Sequence, residues 1–190
     1  MSNAINLSCT CGTVKGKLKV VDGSFLHIHC LCCDCQSFAS YLGNEENILD
    51  EHGGTELFQT YPTYMEITEG KEKIGCVQLR ENGTYRWHTT CCNMPLANTL
   101  TSPKVPFVGV SAKLMQFDNE QDKLRVIGPV KMKAFGKYAK GKMPQDAHPK
   151  IPFSFMPKLL GFMLRGLFGK KNTPSPFFRN QEPVVKANIL

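Results

Sequence analysis

The chain has 190 residues, 42% of them hydrophobic, with nine cysteines and a formal net charge of +7. This length fits one domain with a tail and is enough to bury a core. No apolar run approaches the roughly 18 to 20 residues of a transmembrane helix, which excludes a membrane-spanning segment, and the first twenty residues contain no apolar core typical of a signal peptide. We therefore expect a cytoplasmic protein, in which clustered cysteines indicate metal binding rather than disulfides.

Charge is distributed unevenly along the chain. Residues 1–100 carry a balance of −4, and residues 101–190 carry a balance of +11. Metal-bound thiolates would lower the total, so the net charge alone is weak evidence for a nucleic-acid partner. The basic half also lacks the interleaved aromatic residues of a surface on which bases stack. We predict no nucleic-acid partner, and we expect any binding of anions to involve the second half.

Two strands and a cysteine pair are predicted in the first thirty residues. Residues 14–20 alternate apolar residues with lysines, which predicts a half-buried antiparallel strand with one solvated face. Just before it, Cys9 and Cys11 form a C-x-C pair, and Gly12 can adopt a positive φ that lets the backbone curl around an ion. Residues 24–30 predict a second strand, which ends on the next cysteine.

Four cysteines lie within six residues at the end of that strand: Cys30, Cys32, Cys33 and Cys35. Residues so close in sequence cannot form disulfides with one another without strain. Thiolates are preferred ligands of zinc, and a C-x-C-x-x-C run can place three of them around one ion. We therefore predict a zinc site at Cys30, Cys32 and Cys35, here called the cysteine triplet. Its fourth coordination position would stay open for water or a substrate thiol.

The middle of the chain predicts mostly strands. Residues 36–54 follow the triplet and are interpreted as an acidic loop or helical turn. Turn signals, above all Asn82-Gly83, then separate short apolar segments. The predicted strands are residues 56–61, 64–68, 73–79, 84–89, 107–117 and 124–127.

A basic extension of different character begins at Lys131. We predict a zinc-binding β domain over residues 1–130 and an extension over residues 131–190. Residues from about 157 to 168 are predicted to form a helix that is apolar on nearly all sides. Such a helix favours packing on the sheet or in a dimer interface. A lid over the site or an in-plane membrane contact is the alternative. Prolines in residues 173–185 predict an extended segment on the surface.

The cysteine groups together resemble a known family. A C-x-C-G near the start, a C-x-C-x-x-C at the end of a strand, and a later stretch similar to R-x-F-C-x-x-C-G-x-P-L resemble the glutathione-dependent formaldehyde-activating enzyme family, which includes centromere protein V. The match covers roughly residues 7–117 and rests on Cys9, Cys11, Gly12, Cys30, Cys32, Cys35, Arg86, Cys92, Pro95 and Leu96. The resemblance implies a mainly β, zinc-bearing, antiparallel fold of the β-tent kind, to which this chain would add a short C-terminal helical extension.

The resemblance also implies two zinc sites with different roles. Cys9, Cys11 and the late cysteine pair would hold a structural zinc. The catalytic residues would be Cys30, Cys32 and Cys35, which would hold a second zinc at the active site.

This sequence departs from the family pattern in the late cysteine pair. Thr89 stands where the family has its first late cysteine, and Asn93 stands where it has glycine. The fourth ligand of the structural zinc, beside Cys92, is therefore either Cys91 or His88. Cys91 and Cys92 are neighbours whose side chains would point to opposite faces of a strand, but a turn could bring both to one ion. We favour Cys91.

The function that the resemblance implies is that of a carbon–sulfur lyase acting on a thiol adduct such as S-hydroxymethylglutathione, which forms from formaldehyde and glutathione. The expected partner is a small thiol, with glutathione as the first candidate, and a homodimer is a further expectation. The alternative is a non-enzymatic, zinc-stabilised module that docks a protein partner or a membrane surface through its basic half. Both zincs would then be structural, with Cys33 or His29 completing the second site.

Overall fold

A computed structural model describes residues 3–190, which form a mainly β fold with 30% strand and 26% helix. The strands are β1 Asn3–Ser8, β2 Lys15–Val20, β3 Leu26–Cys30, β4 Thr55–Thr60, β5 Met65–Glu69, β6 Ile74–Gln78, β7 Tyr85–Thr89, β8 Pro95–Thr99, β9 Val108–Ser111, β10 Met132–Ala134, β11 Phe178–Arg179, β12 Glu182–Pro183 and β13 Asn188–Ile189. The α-helices are α1 Cys33–Tyr41, α2 Glu45–Ile48, α3 Glu120–Ile127 and α4 Met156–Phe168.

Two sheets enclose the main core. A three-stranded antiparallel sheet has the order β1-β2-β5, and an eight-stranded sheet has the order β10-β3-β4-β9-β8-β7-β6-β13. The six inner strands of the larger sheet are antiparallel, whereas the edge strands β10 and β13 run parallel to their neighbours. Leu18 of β2 and Trp87 of β7 are fully buried in the core that includes residues of both sheets.

The strand predictions for residues 14–20, 24–30, 56–61, 64–68, 73–79 and 84–89 are confirmed within a few residues. In β2, buried and exposed residues alternate over the whole strand, and its lysines form the solvated face. Apolar and polar residues alternate in such a strand because successive side chains point to opposite faces of the sheet. This alternation is visible in the sequence, so the strand could be predicted.

Helices form in two of the predicted segments: residues 36–54, where a helical turn was one of the two options, and residues 124–127, where a strand was expected. The acidic stretch after the triplet contains α1 and α2, and α1 buries Cys35, Phe38 and Ala39 on one face. The predicted strand 124–127 is wrong, because it forms the end of α3. The side chain of Asn119 caps that helix by accepting a hydrogen bond from the Asp122 amide at 2.9 Å. The predicted strand 107–117 is shorter in the structure, where β9 gives way to a 3₁₀ turn at Ala112–Leu114.

The C-terminal helix was predicted within one residue of its observed start. Its residue Phe162 stacks on Tyr61 with ring centroids 4.5 Å apart, and the Tyr61 hydroxyl donates to the Phe162 carbonyl at 2.7 Å. A Cβ at Gly166 would lie 2.7 Å from atoms of both Tyr61 and Pro106, so the helix approaches the domain very closely there. No helix in residues 3–190 has the length and hydrophobicity needed to cross a membrane.

Other parts of the extension contribute strands and a core side chain to the domain. The edge strands β10 and β13 both come from residues after 130, while the boundary at 130/131 stays a prediction. The tail is non-helical as expected, but the expectation that it only lies on the surface is wrong at one position. Phe177 is 0% exposed and stacks on Trp87 with ring centroids 4.8 Å apart.

Candidate metal centres

The first candidate metal centre is a group of four thiols contributed by distant parts of the chain. The Sγ atoms of Cys9, Cys11, Cys91 and Cys92 all lie within 4.8 Å of one another. The Cys9 sulfur is 3.5 Å from that of Cys11 and 3.8 Å from that of Cys91. Four sulfurs about 2.3 Å from one tetrahedral ion would be about 3.8 Å apart. The spacing therefore fits a closed tetrahedral site, here called the four-thiol cluster.

Two tight turns build this cluster. In the first, the Gly12 amide donates to the Cys9 carbonyl at 2.9 Å while Gly12 has a φ of +73°, so the chain reverses between the two cysteines and β2. The amide of Val14 donates to the Cys9 sulfur at 3.2 Å. Hydrogen bonds from backbone amides to sulfur stabilise the thiolate form that metal binding requires.

The second turn joins β7 to β8 and brings Cys91, not His88, to the other three thiols. The amide of Thr89 donates to the Met94 carbonyl at 2.9 Å, and Asn93 has a φ of +52°. This closed turn lets the neighbouring Cys91 and Cys92 face one point, which a straight strand would not allow. His88, the other candidate, is buried elsewhere, with its ring 5.9 Å from that of Tyr41.

Thr89, which stands where the resemblance leads one to expect a cysteine, has a positioning role that sequence reasoning missed. It is fully buried, and its hydroxyl lies 3.4 Å from the Cys92 sulfur and accepts the Met94 amide at 3.0 Å. Burial raises the pKa of Cys92, but hydrogen bonds from the hydroxyls of Thr10 and Thr89 outweigh it and bring the pKa to about 6. Burial and the neighbouring thiols raise the pKa of Cys91 to about 12.

The second candidate metal centre is the cysteine triplet. The Sγ atoms of Cys30, Cys32 and Cys35 lie within 4.8 Å of one another. Cys30 is the last residue of β3, Cys32 is the N-cap of α1, and Cys35 lies in the first turn of that helix. Free amides at a helix start and its dipole favour negative charge, and both lower the cost of thiolates there.

The pKa values of Cys32 and Cys30 are shifted in opposite directions. Hydrogen bonds from Cys30 and then Cys35, together with the charge of Arg86, hold the pKa of Cys32 well below its usual range. Hydrogen bonds to Cys32 and Cys35 and burial raise the pKa of Cys30. Ionising all three neighbouring thiols would place like charges within 4.8 Å of one another, and a bound cation would stabilise that deprotonation.

A buried arginine adjoins the triplet. Arg86 of β7 is 5% exposed, and its Nη1 lies 4.0 Å from the Cys35 sulfur and 3.4 Å from Asn98 Oδ1. Its Nη2 lies 3.6 Å from Asp34, which also bonds the exposed Arg80 at 2.8 Å. The guanidinium is thus held between α1 and the sheet with its charge directed at the sulfurs.

A narrow cavity of about 20 Å³ opens beside Cys35 and Arg86. Asn98 and Ser111 also line it, and the Ser111 hydroxyl is buried without a hydrogen-bond partner among the described residues. Such a volume holds about one water or a group of similar size, since about 10–15 Å³ is the minimum. An unpaired buried hydroxyl is costly, which marks this cavity as a place for a polar group.

A wider cleft of about 560 Å³ lies beside His29, the residue before the triplet. His29 Nε2 is 3.1 Å from Asp50 Oδ2, and burial lowers the pKa of His29. Glu56 lines the same cleft, and His27 and then Lys123 hold its pKa down at about 2. These groups pair with one another and do not join the triplet.

Comparison with known proteins places the whole chain in one family. The model of a family of unknown function, DUF6151, matches residues 1–188. The chain is a DUF6151 protein. No curated protein matches it. Among solved structures, the crystal structure of a Rhodobacter sphaeroides protein matches with a TM-score of 0.45 and 15% identity, over 62% of this chain and 94% of that one.

All the ligands predicted from cysteine spacing come together in this DUF6151 protein, in the two groups expected for them. Cys33 is exposed, and its sulfur lies 3.8 Å from Asp34, outside the triplet. Cys76 is buried in the core, where burial raises its pKa to about 12, as befits a small apolar residue. Both cysteine groups can hold a metal ion.

Proposed function

We propose that this DUF6151 protein is a cytoplasmic, zinc-dependent carbon–sulfur lyase that forms or cleaves the bond between a thiol and a small aldehyde, as in S-hydroxymethylglutathione. The observation that carries the proposal is the three-thiol site beside a buried arginine and an unpaired serine hydroxyl. The proposal includes kinship with the glutathione-dependent formaldehyde-activating enzymes and their β-tent fold, through the cysteine spacing already described.

The donor sets fit one structural zinc and one zinc at an active site. Four thiols complete a tetrahedral site, whereas three thiols leave one position open. Cys30, Cys32 and Cys35 would hold the second ion. When bound there, zinc would supply the Lewis acidity that favours the thiolate form of a substrate thiol.

The chain's own side chains would bind and orient the carbonyl group. When a thiol adds to an aldehyde, a C–S bond forms, the C=O π pair moves to oxygen, and that oxygen takes a proton in place of the one lost from sulfur. The Ser111 hydroxyl is free to donate to this oxygen, and the Arg86 charge would stabilise it. Reversal of the same step cleaves the adduct, and neither direction needs an oxidant.

The size of the cavity selects the aldehyde. About 20 Å³ accommodates a group the size of a water molecule, such as the carbonyl oxygen, and leaves little room for a substituent on the carbonyl carbon. The rest of a glutathione-like thiol would have to lie outside this cavity, towards the exposed Arg80 and Cys33 at the start of α1.

The competing function is a binding module with two structural zincs. It requires a protein ligand at the fourth position of the triplet. Within residues 3–190, neither Cys33 nor His29 belongs to the triplet's ligand group. The open position therefore favours the enzyme.

A Cys32→Ser variant tests the proposal, with Cys33→Ser as its matched control. Native mass spectrometry should find two zincs in the wild-type chain, one in Cys32→Ser and two in Cys33→Ser. Exchange NMR of ¹³C-formaldehyde with glutathione should show acceleration by the wild-type protein and by Cys33→Ser, and none by Cys32→Ser. Full acceleration by Cys32→Ser or by zinc-free protein would refute the proposed function.

Arg86→Lys should slow the exchange reaction about 10- to 100-fold while both metals stay bound, because lysine cannot reproduce the planar guanidinium that spans Cys35, Asp34 and Asn98. Arg80→Lys is the control, since Arg80 bonds the same Asp34 from solvent, and we expect a change of less than about threefold. Equal rates for Arg86→Lys and the wild type would show that the guanidinium does not take part.

A further inference from the structure

We propose that the outer face of α4, with the 3₁₀ turn Phe153–Phe155 that leads into it, docks in the plane of an anionic lipid surface. This face consists of large apolar side chains that the domain leaves exposed: Phe153, Met156, Leu160, Leu164, Leu167 and Phe168. Phe153 and Phe168, at its two ends, are 90% and 85% exposed. Side chains at intervals of three and four residues lie on one side of a helix, so these residues form one stripe rather than scattered positions.

The stripe is not the face by which α4 packs on the domain, because the opposite side of the helix already makes that contact. Phe155, Phe162 and Gly166 are buried, at intervals of seven and four residues, with Phe162 stacked on Tyr61. The Arg165 side chain also donates to the Gly23 carbonyl on the domain. The domain therefore holds the helix with its second apolar stripe facing solvent, which is unusual for a water-soluble surface.

The charge around the stripe selects an anionic partner. Residues 147–181 contain no aspartate or glutamate. Arg165 is bonded to the Gly23 carbonyl and the half-buried Lys171 lies over the Tyr64 ring, which leaves as exposed cations Lys150, Lys158, Lys170 and Arg179. A helix with exposed Leu and Phe and with flanking Lys and Arg is the pattern of segments that lie in the headgroup region of a bilayer. Basic residues close to the surface are attracted to anionic lipids over about one Debye length.

The length of α4 fits lying on a bilayer rather than crossing it. Thirteen residues span about 20 Å at 1.5 Å per residue, while the hydrocarbon core is about 30 Å thick. A second copy of this chain is a poorer occupant of the stripe. A two-fold interface would bring the same patch on each copy together, and its cations would then repel one another.

Sedimentation with lipid vesicles tests the proposal on the full-length protein. We expect binding to vesicles with about 30% phosphatidylserine, little binding to pure phosphatidylcholine, and weakening when salt is raised from about 0.05 to 0.5 M. The double substitution Leu160→Asp and Leu164→Asp should reduce binding at least about tenfold. Leu124→Asp is the matched control, because Leu124 is exposed on α3 and should leave binding unchanged.

Charge reversal gives a second, independent readout. Lys158→Glu with Lys170→Glu leaves the apolar stripe intact and should weaken binding to the anionic vesicles only. The proposal is overturned by absence of binding, by equal binding to both lipid compositions, or by binding that survives Leu160→Asp and Leu164→Asp. It is also overturned if sedimentation velocity shows a dimer that this double substitution dissociates, since a second copy would then cover the face.

Discussion

Replacing Cys91 with serine is expected to release the metal from the four-thiol cluster and to lower the melting temperature by about 8–16 °C. A metal present at about 1,000 times its Kd stabilises the folded state by about 4 kcal/mol. Each kcal/mol corresponds to about 2–4 °C in a protein of this size. The Cys91 sulfur lies among the other three, so serine would leave an incomplete site that joins two separate turns of the chain. Native mass spectrometry and calorimetry would measure both effects.

His88→Asn is the discriminating control for that experiment. His88 was the other candidate ligand, and its ring packs near Tyr41, so we expect its removal to leave the metal count unchanged even if burial makes the substitution destabilising. Loss of a zinc from His88→Asn, combined with a full complement in Cys91→Ser, would show that the fourth ligand is the histidine.

Phe177→Ala should be the most destabilising single truncation in the C-terminal extension, at about 3–5 kcal/mol. Phe177 is fully buried and stacks on Trp87, so alanine would leave a cavity against the largest side chain of the core. Because Trp87 is the single tryptophan, its fluorescence reports on this contact directly. Urea denaturation followed by that fluorescence would give the change in unfolding free energy.

Phe168→Ala is the matched control, since it makes the same chemical change in the same extension. Phe168 is exposed on α4, so we expect a change within about 0.5 kcal/mol. Equal destabilisation by the two substitutions would mean that the tail does not complete the core.

The strands were predictable because their patterns are local. The alternation in β2 and the Asn82-Gly83 turn, where Asn82 has a φ of +57°, each follow from a few adjacent residues. Residues 36–54 were predicted only as a loop or a helical turn, because the cysteines at the start of α1 and the acidic residues after it hid its buried residues, which recur at intervals of three and four. α3 begins after a capping Asn119 and ends at Gly128, which are helix signals. The short, mostly apolar segment at residues 124–127 was nevertheless interpreted as a strand.

The two cysteine groups could be found from sequence because cysteines with C-x-C spacing can reach one ion whatever the surrounding fold. The cavity beside them could not. Arg86 lies on β7 and Ser111 lies on β9, and only the sheet order brings both to the start of α1. The choice of Cys91 over His88 likewise depended on the backbone of one turn, in which Asn93 has a positive φ.

The two parallel edge strands have a consequence for how the chain is made. Until residues 132–134 and 188–189 have left the ribosome, β3 and β6 each present an unpaired row of amides and carbonyls to the crowded cell. Such rows are templates for pairing with other chains. The β3 margin of the sheet therefore stays open until β10 has been made, and the β6 margin until β13 has been made, and contacts between residues so far apart form slowly. Its yield in a cell should therefore depend on chaperones that shield β-strands during translation.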